Sequence, residues 1–470
     1  MHLFIDNLSL CTKLVSAISG ILTILLFYLI GKDVYGREAG LFAAMGFAVH
    51  PLLIKISILG LPDSLFLFLQ FTSIYVFLLL RKNDKLFMYA LMGLLTAITY
   101  LTKPEGIFLL LLPLLHIAGY FIKRDRALNK KLAGLFMFFT VFALAISPYA
   151  YFIKKSTGNY SMTGKLKVNM LIATEGNGKT YHELVGSHNS IYERLAFALN
   201  DKKNQVIGFD HDKDFSALSY LMADPMLHIA RYIRNVLQEA RVLFKLLLPL
   251  SLPLFFAMFY RDLFQKRMPL IFILMPLILL FLYPVFYILE RHMSSVVAYL
   301  ILFSAIGPVI ATHAFAKMTD FYNIKNNIFM SFIGEKLKYL IVFIMTGASI
   351  MYITFSSFGT REVAAEHIQA GRYLKDNVSS GYEELNVMSL KPFVSFYSGA
   401  KFTMLPYANA DDVVDFGKLY NVDYIAIDGR YLSEWKHYDE LVSLDHGRDD
   451  IKLIYMDDND SPIRLFKIIK

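Results

Sequence analysis

Residues 61–80, LPDSLFLFLQFTSIYVFLLL, decide the fold class of this chain. A proline and an aspartate stand directly before an apolar run that is longer than the core of a globular domain requires. Similar runs recur along the 470 residues, of which 56% are hydrophobic and 18% charged. In soluble domains, about 45–50% of the residues are apolar and about 25% are charged. The sequence therefore predicts a polytopic α-helical membrane bundle.

The composition also excludes several other classes of protein. The chain contains 40 Phe and 29 Tyr, and so many aromatic residues exclude an intrinsically disordered chain. Its single cysteine, Cys11, excludes a disulfide framework within the chain and a cysteine-based zinc cluster.

Windows of about 19 residues with high hydropathy predict about ten membrane spans. These lie near residues 12–31, 40–57, 64–80, 86–102, 106–122, 132–153, 242–260, 268–289, 294–316 and 339–358. The Lys103-Pro104-Glu105 turn could instead be a break within a helical hairpin.

The basic residues of the short loops predict the orientation, because Lys and Arg next to a span resist translocation. One side holds Lys32, Arg37, Arg81, Lys82, Lys85, Lys123, Arg124, Arg126, Lys130, Lys131, Arg261, Lys266, Arg267, Lys317, Lys325, Lys336 and Lys338. The opposite side holds only Lys13, Lys55, Lys103 and Arg291. The first side is thus predicted to face the cytoplasm, and the protein is predicted to lie in the plasma membrane. The basic residues behind the net charge of +8 then mostly set the orientation of the chain in the membrane. We therefore expect no nucleic-acid partner.

This orientation divides the chain into four predicted parts. Residues 1–153 form a transmembrane bundle of six spans, and residues 242–358 form a second bundle of four. Residues 154–241 form a large extracytoplasmic loop, and residues 359–470 form a small extracytoplasmic α/β domain. Apolar residues at helical spacing predict an amphipathic helix over 216–240, which either lies on the membrane or packs on the bundle.

The C-terminal region alternates between helical and strand patterns, which predicts a small α/β domain. Helices are expected over 364–376 and 411–420, and strands over 385–389, 422–428, 451–455 and 463–469. The region contains no Gly-rich phosphate loop, no Cys or His metal spacing and no nucleophile elbow. We therefore expect a lid or an acceptor-binding module without chemistry of its own.

Charged residues at the predicted outer ends of spans are the candidate functional residues, because such positions are costly for charge. Asp63 precedes the third span and is either a helix cap or a catalytic carboxylate. Lys103 and Glu105 share a tight turn, where they either bind and orient a phosphate or pair with each other.

A third outer loop carries Glu290, Arg291 and His292. Arginine suits lipid phosphates through its planar fork of donors. His292 is a general acid or base, a metal ligand, or a hydrogen-bonded interface residue. Three loops with charges at one membrane face favour a site for a phosphate-bearing lipid.

Several stretches together resemble the GT-C superfamily of polyprenol-phosphate-sugar-dependent glycosyltransferases, the group with protein O-mannosyltransferases and aminoarabinose transferases. The stretches are LVSAISG (14–20), YGREAGLFAA (35–44), Pro51, PDSL (62–65), LTKPEG (101–106), ERH (290–292), YSG (397–399), LP (405–406) and VDY (422–424). Their order extends over nearly the whole chain.

The resemblance implies transfer of a hexosyl or pentosyl group from a polyprenyl-phosphate donor to a lipid, glycan or protein acceptor at the outer face. Asp63 matches the family's second-loop carboxylate and is expected to be catalytic. Lys103 and Arg291 match contacts to the donor phosphate, and Glu105, Glu290 and His292 complete the expected substrate site. Asp63 could also hold a divalent metal, Mg or Mn.

In that group, a first span and a loop with a further aspartate precede the LVSAISG stretch, for which about ten residues remain here. The sequence thus predicts that this segment is missing. Three interpretations stay open: a truncated product or misassigned start, an inactive relic, or a non-enzymatic lipid or polysaccharide transporter.

Overall fold

A computed structural model gives the architecture. It describes residues 8–114, 116–117, 128–157, 198–199, 206–207, 221–222, 224–260, 267–285, 289–322, 328–355, 365–377, 385–406, 409–429, 447–457 and 462–469. Most of the predicted outer loop 154–241 lies outside these residues, as does part of the predicted span 106–122. The chain divides into two compact units: Met1–Thr163 with Tyr232–Phe358, and Gly164–Arg231 with Gly359–Lys470.

The first unit is helical. Its helices are α1 (Leu8–Tyr35), α2 (Arg37–Val49), α3 (Pro51–Ile58), α4 (Pro62–Lys82), α5 (Leu86–Thr102), α6 (Leu128–Thr157), α7 (Pro225–Leu247, which begins in the second unit), α8 (Ser251–Ala257), α9 (Arg267–Leu282), α10 (Ser294–Ser304), α11 (Gly307–Phe321) and α12 (Ile328–Phe355). Short 3₁₀ segments at Pro104–Leu110, Leu248–Leu250, Tyr283–Val285 and Glu290–Met293 connect several of them.

The predicted count of ten spans is not confirmed. Six described helical segments are long and apolar enough to cross a membrane, and the bent pair α2 and α3 makes a seventh. The three other predicted spans coincide with the shorter apolar segments Leu86–Thr102, Pro104–Leu114 and Ile271–Val285. A 17-residue helix such as Leu86–Thr102 is only about 25 Å long, less than the roughly 30 Å of the hydrocarbon core.

Local sequence explains the breaks between the first helices. Gly36 separates α1 from α2 at φ 106°, a backbone conformation that side chains other than hydrogen disfavour. His50 separates α2 from α3 with an extended backbone, because the following Pro51 excludes the helical conformation at the residue before it. The bend at this point is 60°.

Helix α7 joins two predicted features into one element. Asp224 caps it by accepting a hydrogen bond from the Leu227 amide at 3.0 Å, and Pro225 occupies its first turn. The apolar segment that begins there runs to Ala257, so it crosses the predicted boundary between residues 241 and 242.

The same helix packs on the bundle. The Tyr232 hydroxyl donates to the Phe281 carbonyl at 2.9 Å, and the Asn235 amide donates to the Pro284 carbonyl at 2.9 Å. Packing is thus the arrangement that the structure shows for this half of the predicted amphipathic helix.

The second unit contains the predicted α/β domain. Its described elements are β1 (Ala198–Leu199), β2 (Val206–Ile207), α13 (Ala365–Asn377), β3 (Asn386–Ser389), α14 (Phe393–Ser398), β4 (Lys401–Met404), α15 (Ala410–Leu419), β5 (Tyr424–Asp428), β6 (Gly447–Arg448), β7 (Ile451–Met456) and β8 (Ile463–Ile468). The six C-terminal strands form one sheet in the order β4-β3-β5-β8-β7-β6. Strand β3 pairs in parallel with β4 and β5, and the other pairs are antiparallel.

Every C-terminal helix and strand predicted from the sequence is present. The prediction did not include α14, β4 and the two-residue β6. These are short elements, of two to six residues, whose stability depends on contacts with the rest of the domain.

Candidate functional site

Asp63 lies in the first turn of α4 and is almost completely buried, with 2% of its side chain exposed. Pro62 begins the helix, so the N-cap position falls to Leu61, which makes no side-chain capping bond. Asp63 is therefore not an N-cap. Its charge is still favourable here, since the N-terminus of a helix carries a partial positive charge.

Lys103 approaches Asp63 from the turn between α5 and the following 3₁₀ segment. Its backbone is extended, as expected before Pro104. The Nζ atom lies 3.0 Å from Oδ1 of Asp63 and 3.8 Å from Oε1 of Glu105. It also lies 5.2 Å from the ring centroid of Phe66, within the range of a cation–π contact.

These three side chains form the charged cluster of the candidate site, which we call the Asp63 cluster (Asp63, Lys103 and Glu105). The side chains of Lys103 and Glu105 are 15% and 22% exposed. Solvent therefore reaches the cluster at these two residues, whereas Asp63 is buried. Two carboxylates face one ammonium group. Such a desolvated arrangement is maintained only when the charges are paired, because burying an isolated charge is costly.

Tyr283 connects this cluster with the third predicted loop. It follows α9 and is buried, and the carboxylates of Glu105, Glu239 and Asp63 lie in its neighbourhood. Its ring centroid lies 6.2 Å from that of His292. The structure therefore brings His292 to the same region, through a tyrosine.

Glu290 and Arg291 do not join the cluster within the part of the chain that is described. Glu290 pairs with Lys55 at 3.6 Å, and both side chains are nearly half exposed. Arg291 is exposed. No ion pair links either residue to Asp63, Lys103 or Glu105 among the described residues. Their assignment to the substrate site stays a prediction.

Sequence reasoning missed Glu239. This residue lies on α7, one turn after Asn235, and only 4% of it is exposed. Its Oε1 has no hydrogen-bond partner among the described residues. The signal was available: Tyr232, Asn235 and Glu239 are spaced at three and four residues, which places polar groups on one helix face of an otherwise apolar segment.

A buried polar network underlies the helix that carries Asp63. The Gln70 amide nitrogen donates to the Tyr299 hydroxyl at 3.2 Å, and the Ser295 hydroxyl donates to Oε1 of Gln70 at 3.2 Å. All three residues are at least 98% buried. The network joins α4 to α10 and fixes the helix on which Asp63 stands.

Comparison with known proteins is consistent with this architecture. Residues 1–152 match the family model described as dolichyl-phosphate-mannose-protein mannosyltransferase. ArnT from Cupriavidus metallidurans bound to undecaprenyl phosphate superposes with a TM-score of 0.55 at 10% identity, covering 98% of this chain and 84% of that chain. This chain therefore shares its fold with ArnT.

Two further solved structures have a similar fold. The apo form of the same ArnT gives a TM-score of 0.54 at 11% identity, covering 96% of this chain and 83% of that chain. The Archaeoglobus fulgidus oligosaccharyltransferase in complex with zinc and sulfate gives 0.51 at 16% identity, covering 90% and 57%. No curated protein matches the sequence.

The metal expected at Asp63 stays a prediction. Among the described residues, no group of three His, Cys, Asp or Glu side chains is placed to hold a metal ion. One oxygen of Asp63 is also engaged by the Lys103 ammonium group. These residues as arranged do not fit a divalent ion, and no step proposed below depends on one.

Proposed function

We propose that this protein is a GT-C glycosyltransferase, which transfers a sugar from a polyprenyl-phosphate donor to an acceptor at the extracytoplasmic face of the plasma membrane. The observation that carries the proposal is the buried ion pair between Asp63 and Lys103, with Glu105 beside it. A carboxylate that can act as a base is in contact with an ammonium group that can bind a phosphate. This combination is what transfer from a phosphate leaving group needs.

The proposed reaction divides the cluster's roles. The donor phosphate binds the ammonium group of Lys103 and draws it from Asp63. The acceptor hydroxyl then gives its proton to Asp63, its oxygen forms a bond to C1 of the sugar, and the bond between C1 and the phosphate oxygen breaks. The lipid phosphate leaves with the electron pair of that bond, and Lys103 stabilises its charge.

The ion pairs of the first unit support the predicted grouping of its loops into two sides. Pairs at one end join residues of the loops that are predicted to be cytoplasmic: Asp33 with Lys82, Asp84 with Lys130 and Lys131, and Glu38 with Lys338. Pairs at the predicted outer end are Asp63 with Lys103 and Glu290 with Lys55. Each of these pairs joins loops assigned to the same side.

The decisive experiment uses the full chain in nanodiscs with a radiolabelled undecaprenyl-phosphate sugar. Hexosyl and pentosyl donors are tested in turn, with lipid, glycan and peptide acceptors. Consumption of a donor in a manner that requires Asp63 supports the proposal. Donor binding without turnover would identify an inactive relic, and donor movement across the bilayer without cleavage would identify a transporter.

A further inference from the structure

Helix α14 of the second unit has an inverted distribution of small and aromatic side chains. Its sequence is FVSFYS, in which Ser395 and Ser398 are buried whereas Phe393 and Phe396 are each 43% exposed. The two phenylalanines are three residues apart, so they are neighbours on the outer face of the helix. Small residues thus pack towards the sheet, and two large aromatic rings point away from it. Packing within the domain does not account for this order.

A third exposed ring lies on the same side of the sheet. Phe402 on the edge strand β4 is 39% exposed. It is in register with Val387 of β3, so both side chains lie on one face of the sheet. Val387 shares a hydrophobic core with Val394 of α14, which identifies this face as the one that α14 covers. We call Phe393, Phe396 and Phe402 together the aromatic face.

Contacts with α13 hold the aromatic face in place. The Nε2 atom of His367 on α13 lies 3.0 Å from Oδ2 of Asp428 on β5, and both side chains are buried or nearly so. The Phe393 ring stands edge-on to this imidazole, with the ring centroids 5.1 Å apart. A rotation of α14 that buried its outer rings would break the contact between Phe393 and His367. The rings therefore belong to the surface of the folded domain.

The charge of the segment that carries these rings differs from that of the rest of the domain. Residues 359–470 contain 19 acidic and 13 basic side chains. Residues 385–406, which carry all three rings, contain Lys391 and Lys401 and no acidic residue. Lys401 is exposed and Lys391 is partly exposed. A negatively charged partner is thus attracted to this side of an otherwise acidic domain.

The covalent connection of the domain favours a bilayer as this partner. Nine residues, 356–364, separate α12, a candidate membrane span, from α13. Nine residues extend over at most about 30 Å, so the domain cannot move far from the membrane. Surfaces that combine aromatic rings with lysines bind at the boundary between headgroups and acyl chains, where the rings enter the apolar layer and the lysines contact anionic lipids.

We propose that the aromatic face binds the C-terminal domain to a bilayer surface that contains anionic lipids. The three rings enter the boundary between headgroups and acyl chains, and Lys391 and Lys401 contact lipid phosphates. This binding holds the domain in one orientation to the membrane. It uses no residue of the Asp63 cluster and is independent of the proposed transfer reaction.

Electron paramagnetic resonance on the full chain in nanodiscs tests this surface. A nitroxide label is attached at Phe396→Cys or at Phe402→Cys, after Cys11→Ser has removed the native thiol. Molecular oxygen concentrates in the bilayer, whereas a water-soluble nickel complex is excluded from it. In nanodiscs that contain phosphatidylglycerol, we expect both labels to collide more often with oxygen than with the nickel complex.

A label at Leu419→Cys is the matched control. Leu419 is an apolar residue of α15 and is 57% exposed. Helix α15 packs on Met388 of β3 through Gly417. Met388 and Val387 are adjacent on the strand, so α15 and the aromatic face lie on opposite faces of the sheet. The label at position 419 should therefore collide more often with the nickel complex.

Two pairs of substitutions separate the contributions of the rings and the charges. Phe393→Ser with Phe396→Ser should move a label at position 402 from the bilayer into water. Lys391→Gln with Lys401→Gln should lower the ratio of bound to unbound domain about fivefold for each lysine in nanodiscs with phosphatidylglycerol. In nanodiscs of phosphatidylcholine alone, the lysine substitutions should have no effect. Near-ultraviolet circular dichroism establishes that each variant is folded.

Three results would overturn the proposal. The first is that the labels at positions 396 and 402 meet the nickel complex as often as the label at 419, which would place the aromatic face in water. The second is that both labels are shielded from oxygen and from the nickel complex, which would show that protein covers this face. The third is that the oxygen preference at position 402 survives both pairs of substitutions in folded protein.

Discussion

The Nζ atom of Lys103 lies 3.0 Å from Oδ1 of Asp63, although 40 residues separate them in the sequence. Asp63 lies in the first turn of α4 and Lys103 directly follows α5, so the contact joins two different predicted outer loops. A pair used only for helix capping would be local. This pair instead sets a carboxylate and an ammonium group from distant parts of the sequence at one position.

Asp63→Asn should reduce sugar transfer by about 10²–10⁴-fold, because the amide cannot accept the acceptor proton. Expression and extraction from the membrane should be unchanged, as the substitution is nearly isosteric. The measurement is turnover of a labelled undecaprenyl-phosphate sugar in nanodiscs. Retained turnover would remove Asp63 from the reaction.

Asp33→Asn is the matched control for that substitution. Asp33 also pairs with a lysine, Lys82, at 2.9 Å, but at the opposite end of the bundle and with Lys82 55% exposed. Exposed pairs contribute little to stability. This variant should therefore transfer sugar at the wild-type rate.

Lys103→Gln should weaken donor binding and lower turnover, because the leaving phosphate loses its cation. Lys103→Arg should restore part of the activity, since the charge remains although the geometry changes. The KM for the donor and kcat are measured separately for both variants. Equal activity of Lys103→Gln and Lys103→Arg would show that sugar transfer does not depend on a positive charge at position 103.

Glu239→Gln should raise the thermal stability of the protein and lower its activity. The substitution removes a buried carboxylate whose Oε1 lacks a partner among the described residues, and burying such a charge is costly. It also changes the polar surroundings of Tyr283, near which Glu239 lies. Turnover and the unfolding temperature are measured on one preparation. If neither changes, Glu239 has only a packing role.

Tyr299→Phe should destabilise the bundle by about 1 kcal/mol, because the Gln70 amide loses its acceptor. Gln70→Leu should cost a similar amount, and the double variant should cost less than the sum because the two share one bond. Thermal unfolding of the three variants gives the coupling. Tyr75→Phe, on the same helix as Gln70, is the control. If the effects of Tyr299→Phe and Gln70→Leu on stability are strictly additive, the hydrogen bond between the two residues is contradicted.

Acid should weaken the predicted cytoplasmic end of the bundle through Asp84. Burial raises the pKa of this carboxyl, but hydrogen bonds and charge interactions with Lys131 and Lys130 outweigh burial and lower it below its usual 3.8. A lowered pKa in the folded state contributes stability that is present at neutral pH and is lost as the pH falls below about 4, through the folded-state pKa.

The substitution Asp84→Asn tests this directly. It should cost about 1–3 kcal/mol at pH 7, because Lys131 is 95% buried and loses its 2.8 Å partner. The difference from wild type should disappear in strong acid, where Asp84 is protonated in both states. A difference in unfolding temperature that is independent of pH would contradict the assignment.

Short-range patterns predicted much of the fold. The apolar runs identified the membrane class, and the alternation of helix and strand patterns located α13, β3, α15, β5, β7 and β8. Span number was the exception. Hydropathy windows cannot separate a 17-residue segment such as α5 from a full span, because composition does not report where a helix bends or stops.

For the candidate site, the sequence identified Asp63, Lys103 and Glu105 by their charge at the ends of apolar runs. The spacing of polar residues on α7 indicated a polar face that includes Glu239, but only the packing of the helices shows that this face is buried. Placing Glu290 and Arg291 with the others followed from loop order alone. The structure instead pairs Glu290 with Lys55.

The sequence by itself determined which segments prefer the membrane and which prefer water. The free energy of transfer between the two depends on the composition of a window of residues. The sequence also predicted a group of charged residues at one membrane face. Only the tertiary structure decided which charges touch, because contacts between Asp63 and Lys103, or between His367 and Asp428, depend on how separate helices and strands pack. That packing is set by the shapes of many side chains together, which no local pattern contains.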